Sequence, residues 1–227
     1  AAQTATNRIP IVFLGGSDPV RTGLVKSYAR PGGNITGIAD LEGDLASKRM
    51  EIFRELVPGL KRMFMPYDAA SGVASGLVGA QLEVYREAAR RLGITLVERP
   101  VRTEAEARAA ITDVRNAAVD GIFSPRSVSL NIPGLILDAA PKLALPAMFD
   151  NPFYVENGGL ASYSRNEREV GRQGARLVDR IIKGAKPADL PVEQPTKFEL
   201  VINMKTARAL GITIPQSILL QAERVIE

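Results

Sequence analysis

Short apolar runs rich in β-branched residues alternate with amphipathic stretches along most of this chain, and that alternation predicts parallel βαβ units. Ile9 to Leu14 (IPIVFL) reads as a buried strand that ends in Gly15-Gly16-Ser17-Asp18-Pro19. A helix is predicted from about Val20 to Ala29, stopped by Pro31-Gly32-Gly33, with Asn34 to Ile38 as the next strand. Between Leu45 and Val57 the apolar positions Ala46, Met50, Phe53 and Val57 recur at steps of four, three and four. Leu45, Ile52 and Leu56 widen that stripe, and Pro58-Gly59 closes the helix.

Arg62 to Met65 is predicted as a short strand running into a loop at Pro66-Tyr67-Asp68, followed by a long helix from about Val78 to Leu92 that Gly93 caps. Ile94 to Glu98 is the next strand. Thr103 opens a helix with Glu106 three residues on, a capping-box arrangement, and this helix is expected to run to about Ala118. Gly121 to Ser124 (strand), a loop at Pro125-Arg126-Ser127, Leu135 to Leu143 (helix) and Leu145 to Phe149 (strand) complete a doubly wound unit, with Asp150-Asn151-Pro152 as an exit loop. The texture then changes. Gly158 to Ser164 is a strand after a tight turn, and Glu167 to Lys183 is a long helix closed by Gly184. A proline-rich connector over Lys186 to Pro195 leads to a strand at Lys197 to Asn203, a short helix near Lys205 to Leu210, and a terminal helix from about Pro215.

Composition narrows the chemistry. At 227 residues with 45% apolar residues, the chain can bury the core of one large or two modest domains. Its 29 basic and 25 acidic residues are interspersed, so the net +4 describes a mixed surface rather than a nucleic-acid stripe. Arg86, Arg90 and Arg91 form the densest basic group, on the outer face of a helix, where a solvated face explains them. The sequence has no cysteine and no histidine, which removes thiolate nucleophiles, disulfides, the usual zinc sites and imidazole bases. No stretch reaches the roughly 20 apolar residues of a membrane span. Ala1 to Thr6 lacks the basic and apolar regions of a secretion signal.

In open α/β sheets ligands bind beyond the carboxyl ends of the strands, so the exit loops carry the candidates. These are Ser17 and Asp18, Asp68 and Ser71, Ser124 and Arg126, Asp150 and Asn151, and Tyr163 and Ser164. Hydroxyls and helix N-termini suit a carboxylate and aspartates suit an ammonium, so the set resembles a site for a zwitterion. Each candidate also has a structural explanation. Asp18 before Pro19 can cap a helix, Asp150 can be a turn residue, and Tyr67, Phe123, Phe149 and Tyr163 can be core aromatics. Gly15-Gly16-Ser17-Asp18 lacks a phosphate-loop pattern, and no nucleophile is paired with a base at recognisable spacing.

Three segments carry a resemblance: Asp18-Pro19-Val20, the run Ala29 to Gly37 (ARPGGNITG), and above all Lys183 to Asn203 (KGAKPADLPVEQPTKFELVIN), with Ala207 to Pro215 (ARALGITIP) fitting as well. On these residues the chain resembles the ABC-transporter substrate-binding protein family that includes aromatic amino acid receptors. The resemblance covers nearly the whole chain and is weakest at Asp68 to Val84 and Pro125 to Asn131. It implies a type I periplasmic-binding-protein fold, with two doubly wound lobes that close on ligand like a hinge. On that template lobe one holds residues 1–41 and 155–195, and lobe two holds 42–154 and 196–227. The family carries a domain-sized stretch ahead of Ile9, so lobe one is expected to lack its first βα units, with Ala1 to Asn7 starting inside a helix.

The function so implied is a non-catalytic receptor that binds a small polar solute, such as an amino acid, in a cleft between the lobes and delivers it to an inner-membrane ABC permease. The expected contacts are Ser17, Asp18, Asp68, Ser124, Asp150, Tyr163 and Ser164. No cofactor, no metal and no nucleic-acid partner is expected, and the protein is taken as a monomer, periplasmic or anchored outside the cytoplasmic membrane. The rival readings are a ligand-sensing regulatory domain, which would need a DNA-binding or signalling module, and an α/β hydrolase using Asp18 and Asp150.

Overall fold

The computed structural model describes residues 2–16, 18–70, 77–126 and 130–227. Along the chain run α1 (Ala2–Ala5), β1 (Ile11–Leu14), β2 (Ile35–Ile38), α2 (Glu42–Leu56), β3 (Arg62–Asp68), α3 (Leu77–Arg91), β4 (Thr95–Val101), α4 (Glu104–Thr112) and β5 (Gly121–Phe123). Then follow α5 (Ile132–Leu143), β6 (Ala147–Phe149), α6 (Pro152–Glu156), β7 (Ala161–Arg165), α7 (Glu167–Ile182), β8 (Phe198–Asn203), α8 (Met204–Ala209), α9 (Gln216–Leu219) and β9 (Arg224–Ile226). They form two compact units, Ala1–Glu42 with Arg165–Phe198, and Gly43–Ser164 with Glu199–Glu227. Residues 155–164, assigned from the sequence to lobe one, therefore cluster with the larger unit.

The larger unit is built on a sheet of order β4-β3-β5-β6-β7-β8-β9. The pairs β3–β4, β3–β5, β5–β6 and β6–β7 are all parallel. Asn203 N–H donates to the Leu160 carbonyl, which sets the end of β8 beside the start of β7 and makes that pair antiparallel. Because side chains alternate across a strand, the sheet has two apolar faces. Met63, Met65, Phe123, Met148 and Ala161 pack with Met50 and Phe53 of α2, Tyr85 of α3, Ala207 of α8 and Ile218 of α9. Phe64, Ile122, Ala147 and Phe149 pack on the other side with Ala107 and Ile111 of α4 and Ile132, Leu135 and Ile136 of α5. Helices thus cover both faces, as the buried parallel strands require. Each fully buried large side chain here, Phe53 among them, contributes about 1.5–3 kcal/mol.

In the smaller unit β1 and β2 pair in parallel, Ile11 opposite Ile35 and Leu14 opposite Ile38. Ile11, Phe13 and Ile35 pack with Val25 and Val192 on one side, while Val12 and Ile38 meet Val170 and Leu177 of α7 on the other. The buried Thr36 hydroxyl donates to the Leu190 carbonyl at 2.8 Å, which ties the connector to β2. The strands approach closely at Gly37, where a Cβ would stand 2.1 Å from the Phe13 carbonyl oxygen.

Four sequence expectations are corrected. Val20 to Ala29 forms turns, not a helix: Gly23 takes φ +69° and the Ser27 hydroxyl donates to the Arg30 carbonyl, so local bonds replace the helical ladder. Strand β3 continues through Pro66 to Asp68, because past Phe64 it has register partners only on β4 and its missing N–H costs no ladder bond to β5. The helix opened by Thr103 gives way at Asp113 to a 3-10 turn ending at Ala117, where Ala118 turns left-handed. The helix from Pro215 is a single turn, after which reciprocal bonds between Leu200 and Glu223 draw the chain onto β8 as strand β9.

Candidate functional site

Strands β3, β5, β6 and β7 run the same way, so their carboxyl ends open on one edge of the larger unit's sheet. There β3 presents Asp68, whose Oδ1 accepts the Ala70 N–H at 2.9 Å in an Asx turn. β5 leads into Ser124, whose N–H still donates to the Met148 carbonyl at 2.9 Å and extends the ladder by one residue. β6 leads into Asp150 and then Asn151, whose side chain caps α6 by accepting the Phe153 N–H at 2.9 Å. β7 carries Ser162 and Ser164. Four sequence candidates, Asp68, Ser124, Asp150 and Ser164, are therefore gathered on one edge.

The edge combines hydroxyls and carboxylates, with fully buried aromatics in the core behind it. Ser124 and Ser162 are fully buried, and Ser164 is nearly so. The hydroxyls of all three make no hydrogen bond among the described residues. Phe149 stacks on Tyr154 with ring centroids 5.3 Å apart and planes inclined by 21°. Burial, reinforced by the charge of Asp150, raises the Tyr154 phenol above its ordinary value. Phe123, at the same edge, meets Tyr85 edge to face at 5.7 Å.

Tyr163 stands apart from the serines. Alternation along β7 sends it to the opposite face, where it packs against the core under α2, α8 and α9. The buried Arg49 of α2 donates its Nε to the Tyr163 carbonyl at 2.7 Å. The Tyr163 phenol is raised first by burial and then by Glu223, with Arg49 opposing. Ser17 and Ser71 lie outside the described residues.

Asp18 belongs to the smaller unit. Its Oδ1 accepts the Arg21 N–H at 3.1 Å and Oδ2 pairs with Arg21 Nε at 3.5 Å, in a left-handed backbone at φ +43°. The side chain is half-exposed and closes a turn, since the helix it was expected to cap does not form. At the exits of β1 and β2 the dominant feature is an ion pair without a local sequence signal. Asp40, after β2, pairs with Arg165 Nη1, and both side chains are buried. Arg165 Nε reaches Glu167 at 2.9 Å. Gly15 takes φ +93° against this guanidinium, and a Cβ there would stand 2.7 Å from Nη1. Arg49, Asp40 and Arg165 carried no sequence signal, because their partners are 114 and 125 positions away. Ser162 could have been found, since it shares with Ser164 the period of two along β7.

No group of three or more histidine, cysteine, aspartate or glutamate residues among the described residues is arranged to hold a metal ion. A cavity of about 620 Å³ lies at the opposite end of the same sheet, among Ala144, Leu145, Ala147, Leu160 and Leu210. It is lined at the starts of β6 and β7, and the ring of Phe149, the last residue of β6, lines it as well. The edge offers hydroxyls and two carboxylates, and among the described residues the hydroxyls of Ser124, Ser162 and Ser164 are bonded to no base.

Comparison with known proteins gives one family and a consistent fold. The family described as ABC transporter substrate binding protein matches residues 1–226. A "Tyrosine-binding protein" from Clostridioides difficile (strain R20291) is 28% identical over 213 residues, covering 93% of this chain and 60% of that protein. This chain thus spans less than two thirds of that relative's length. The crystal structure of an ABC domain in complex with L-Trp from Streptococcus pneumonia superposes with a TM-score of 0.85 at 30% identity, covering 99% of this chain and 74% of that one. A LacI-family transcriptional regulator from Bifidobacterium animalis subsp. lactis shares the fold alone, with a TM-score of 0.57 at 17% identity over 88% of this chain and 77% of that one. The architecture is the α/β type I periplasmic-binding-protein fold.

Proposed function

The chain belongs to the ABC transporter substrate-binding protein family, and from that premise we propose that it captures an aromatic amino acid outside the cytoplasm and hands it to a membrane permease. The observation that carries this reading is the gathering of Asp68, Ser124, Asp150 and Ser164 on one edge of a parallel sheet. Carboxylates suit the ligand's ammonium, and hydroxyls suit its carboxylate. The relatives are described as binding tyrosine and L-Trp. Asp18 and Ser17 are further proposed contacts, and Tyr163 is proposed to act from the other sheet face through its carbonyl's bond to Arg49.

The protein is proposed to have no turnover, since the edge holds recognition groups without a reactive pair. No helix among the described residues is long and apolar enough to cross a membrane. An extracytoplasmic site of action, in the periplasm or on a membrane anchor, follows from the proposed role. A thermal-shift panel of the common amino acids and small carboxylates tests it, because a ligand that binds only the folded state raises Tm by mass action. A rise confined to aromatic amino acids supports the assignment. A rise with aliphatic amino acids or small carboxylates alone rejects it.

A further inference from the structure

The cavity of about 620 Å³ at the strand-start end of the larger unit's sheet lies within the size range of small-molecule sites. It exists because small residues meet there. Ala140 of α5, Ala147 of β6, Gly159 before β7 and Ala209 of α8 all line it, and none reaches far from its backbone. Leu137, Leu160 and Leu210 add an aliphatic wall, and the fully buried Phe149 adds an aromatic one. A Cβ on Gly159 would stand 2.6 Å from the Phe149 ring, so only glycine leaves the ring its place there.

The polar groups in these walls are already engaged. Asn203 Oδ1 accepts the Thr206 N–H and Asn203 Nδ2 donates to the Val155 carbonyl, while the Thr206 hydroxyl donates to the Gly158 carbonyl at 2.9 Å. The Gly158 and Gly159 N–H groups donate to the Val155 and Tyr154 carbonyls. None of the buried side-chain polar atoms that lack a partner among the described residues lines this cavity. At the rim Glu156 pairs with Arg224 at 2.6 Å. Lys205 and Glu227 are exposed there and opposite in sign, so an ion meets no net counter-charge. A polar solute would lose hydration in this cavity without new hydrogen bonds in return, whereas apolar surface is favoured out of water. We infer that the cavity is a small-molecule site of its own, which takes a neutral, flat aromatic ligand of one or two fused rings against the aliphatic wall and Phe149. This goes beyond the proposed function and does not rest on it, since the ligand proposed there is a zwitterion at the exit edge.

Fluorescence titration of indole with the protein, which has no tryptophan of its own, tests the inference. Indole emission is expected to shift to the blue and saturate, with a Kd below about 1 mM. Indole-3-acetate, the same ring with a carboxylate, is expected to bind at least about tenfold more weakly. Ala209→Phe sets a ring into the cavity from an exposed position of α8, and Ala140→Leu narrows it from α5. Each is expected to weaken indole by at least about tenfold while leaving L-tryptophan affinity unchanged, since both remove space from the cavity alone. Thermal melts show which variants fold, and either one suffices. Absence of saturable indole binding overturns the inference, as does undiminished binding in a folded variant or equal affinity for indole-3-acetate. Parallel loss of indole and L-tryptophan in a folded variant makes the cavity the amino acid site itself, which overturns both this inference and the exit-edge assignment.

Discussion

Arg165 and Asp40, 125 positions apart in the chain, meet as a buried ion pair, and the guanidinium they fix lies against the backbone of Gly15. The pair joins the exits of β1 and β2 to the start of α7, so one contact organises the edge of the smaller unit from which Asp18 projects. Removing Asp40 leaves the buried Arg165 guanidinium with the exposed Glu167 carboxylate as its remaining described ion-pair partner. Asp40→Ala is expected to destabilise the protein by about 3–5 kcal/mol, read as a lower urea midpoint at unchanged slope. A loss below about 1 kcal/mol, the range of exposed pairs, would contradict this role.

Gly159 is expected to be irreplaceable for a packing reason. A Cβ there would stand 2.6 Å from the Phe149 ring and 2.9 Å from the Tyr154 carbonyl oxygen. Gly159→Ala should therefore disturb the stacked pair and cost about 1–3 kcal/mol, as overpacking does. Thermal melts of the variant check this, and an unchanged Tm would show that the rings have room to move.

Asn203 serves two elements at once. Its Oδ1 caps α8 by accepting the Thr206 N–H at 3.0 Å, and its Nδ2 donates to the Val155 carbonyl at 3.0 Å while buried. Asn203→Asp retains the cap and loses the donor, whereas Asn203→Ala loses both. The expected order of stability is wild type, Asp, Ala, with the alanine variant lower than wild type by about 1–3 kcal/mol. Denaturant titration of the three proteins decides it, and an Asp variant as stable as wild type would remove the Val155 bond from the account.

Tyrosine ionisation links the fold to pH. Tyr28, Tyr154 and Tyr163 are all raised, chiefly by burial, with Asp18, Asp150 and Glu223 adding to it in turn. A group whose folded value lies above its unfolded one supports the fold fully below the unfolded value, about 10 for tyrosine, and that support is lost as pH rises through the folded value. Stability is expected to hold through neutral pH and to fall beyond about pH 10. Ultraviolet titration of the phenolates should show tyrosines ionising later in the folded protein than in urea. Coincident curves would contradict the burial of these phenols.

Much of the fold was legible because buried parallel strands must be continuously apolar and their covering helices must be amphipathic. Ala46, Met50 and Phe53 set the inward face of α2 from their spacing alone, and all three are buried. The failures came where a local signal met a tertiary one. Pro66 reads as a strand end until β4 supplies the remaining partner, and Arg224–Ile226 reads as helix until Glu223 binds Leu200. At the candidate edge the exit loops gave Asp68, Ser124, Asp150 and Ser164, because strand direction alone fixes which ends coincide. The Arg165–Asp40 pair was not legible, since nothing local to either residue names a partner so distant in the chain.

The proposed activity is reversible capture of an aromatic amino acid without chemistry. The protein contains no tryptophan, so the emission of L-tryptophan itself, excited where tyrosine does not absorb, reports binding directly. Titrating the protein into L-tryptophan should give a saturable blue shift of that emission, reversed by excess L-tyrosine, with the amino acid recovered unchanged. No spectral shift and no competition, in a protein that melts cooperatively, would contradict the claim, as would recovery of a chemically altered ligand.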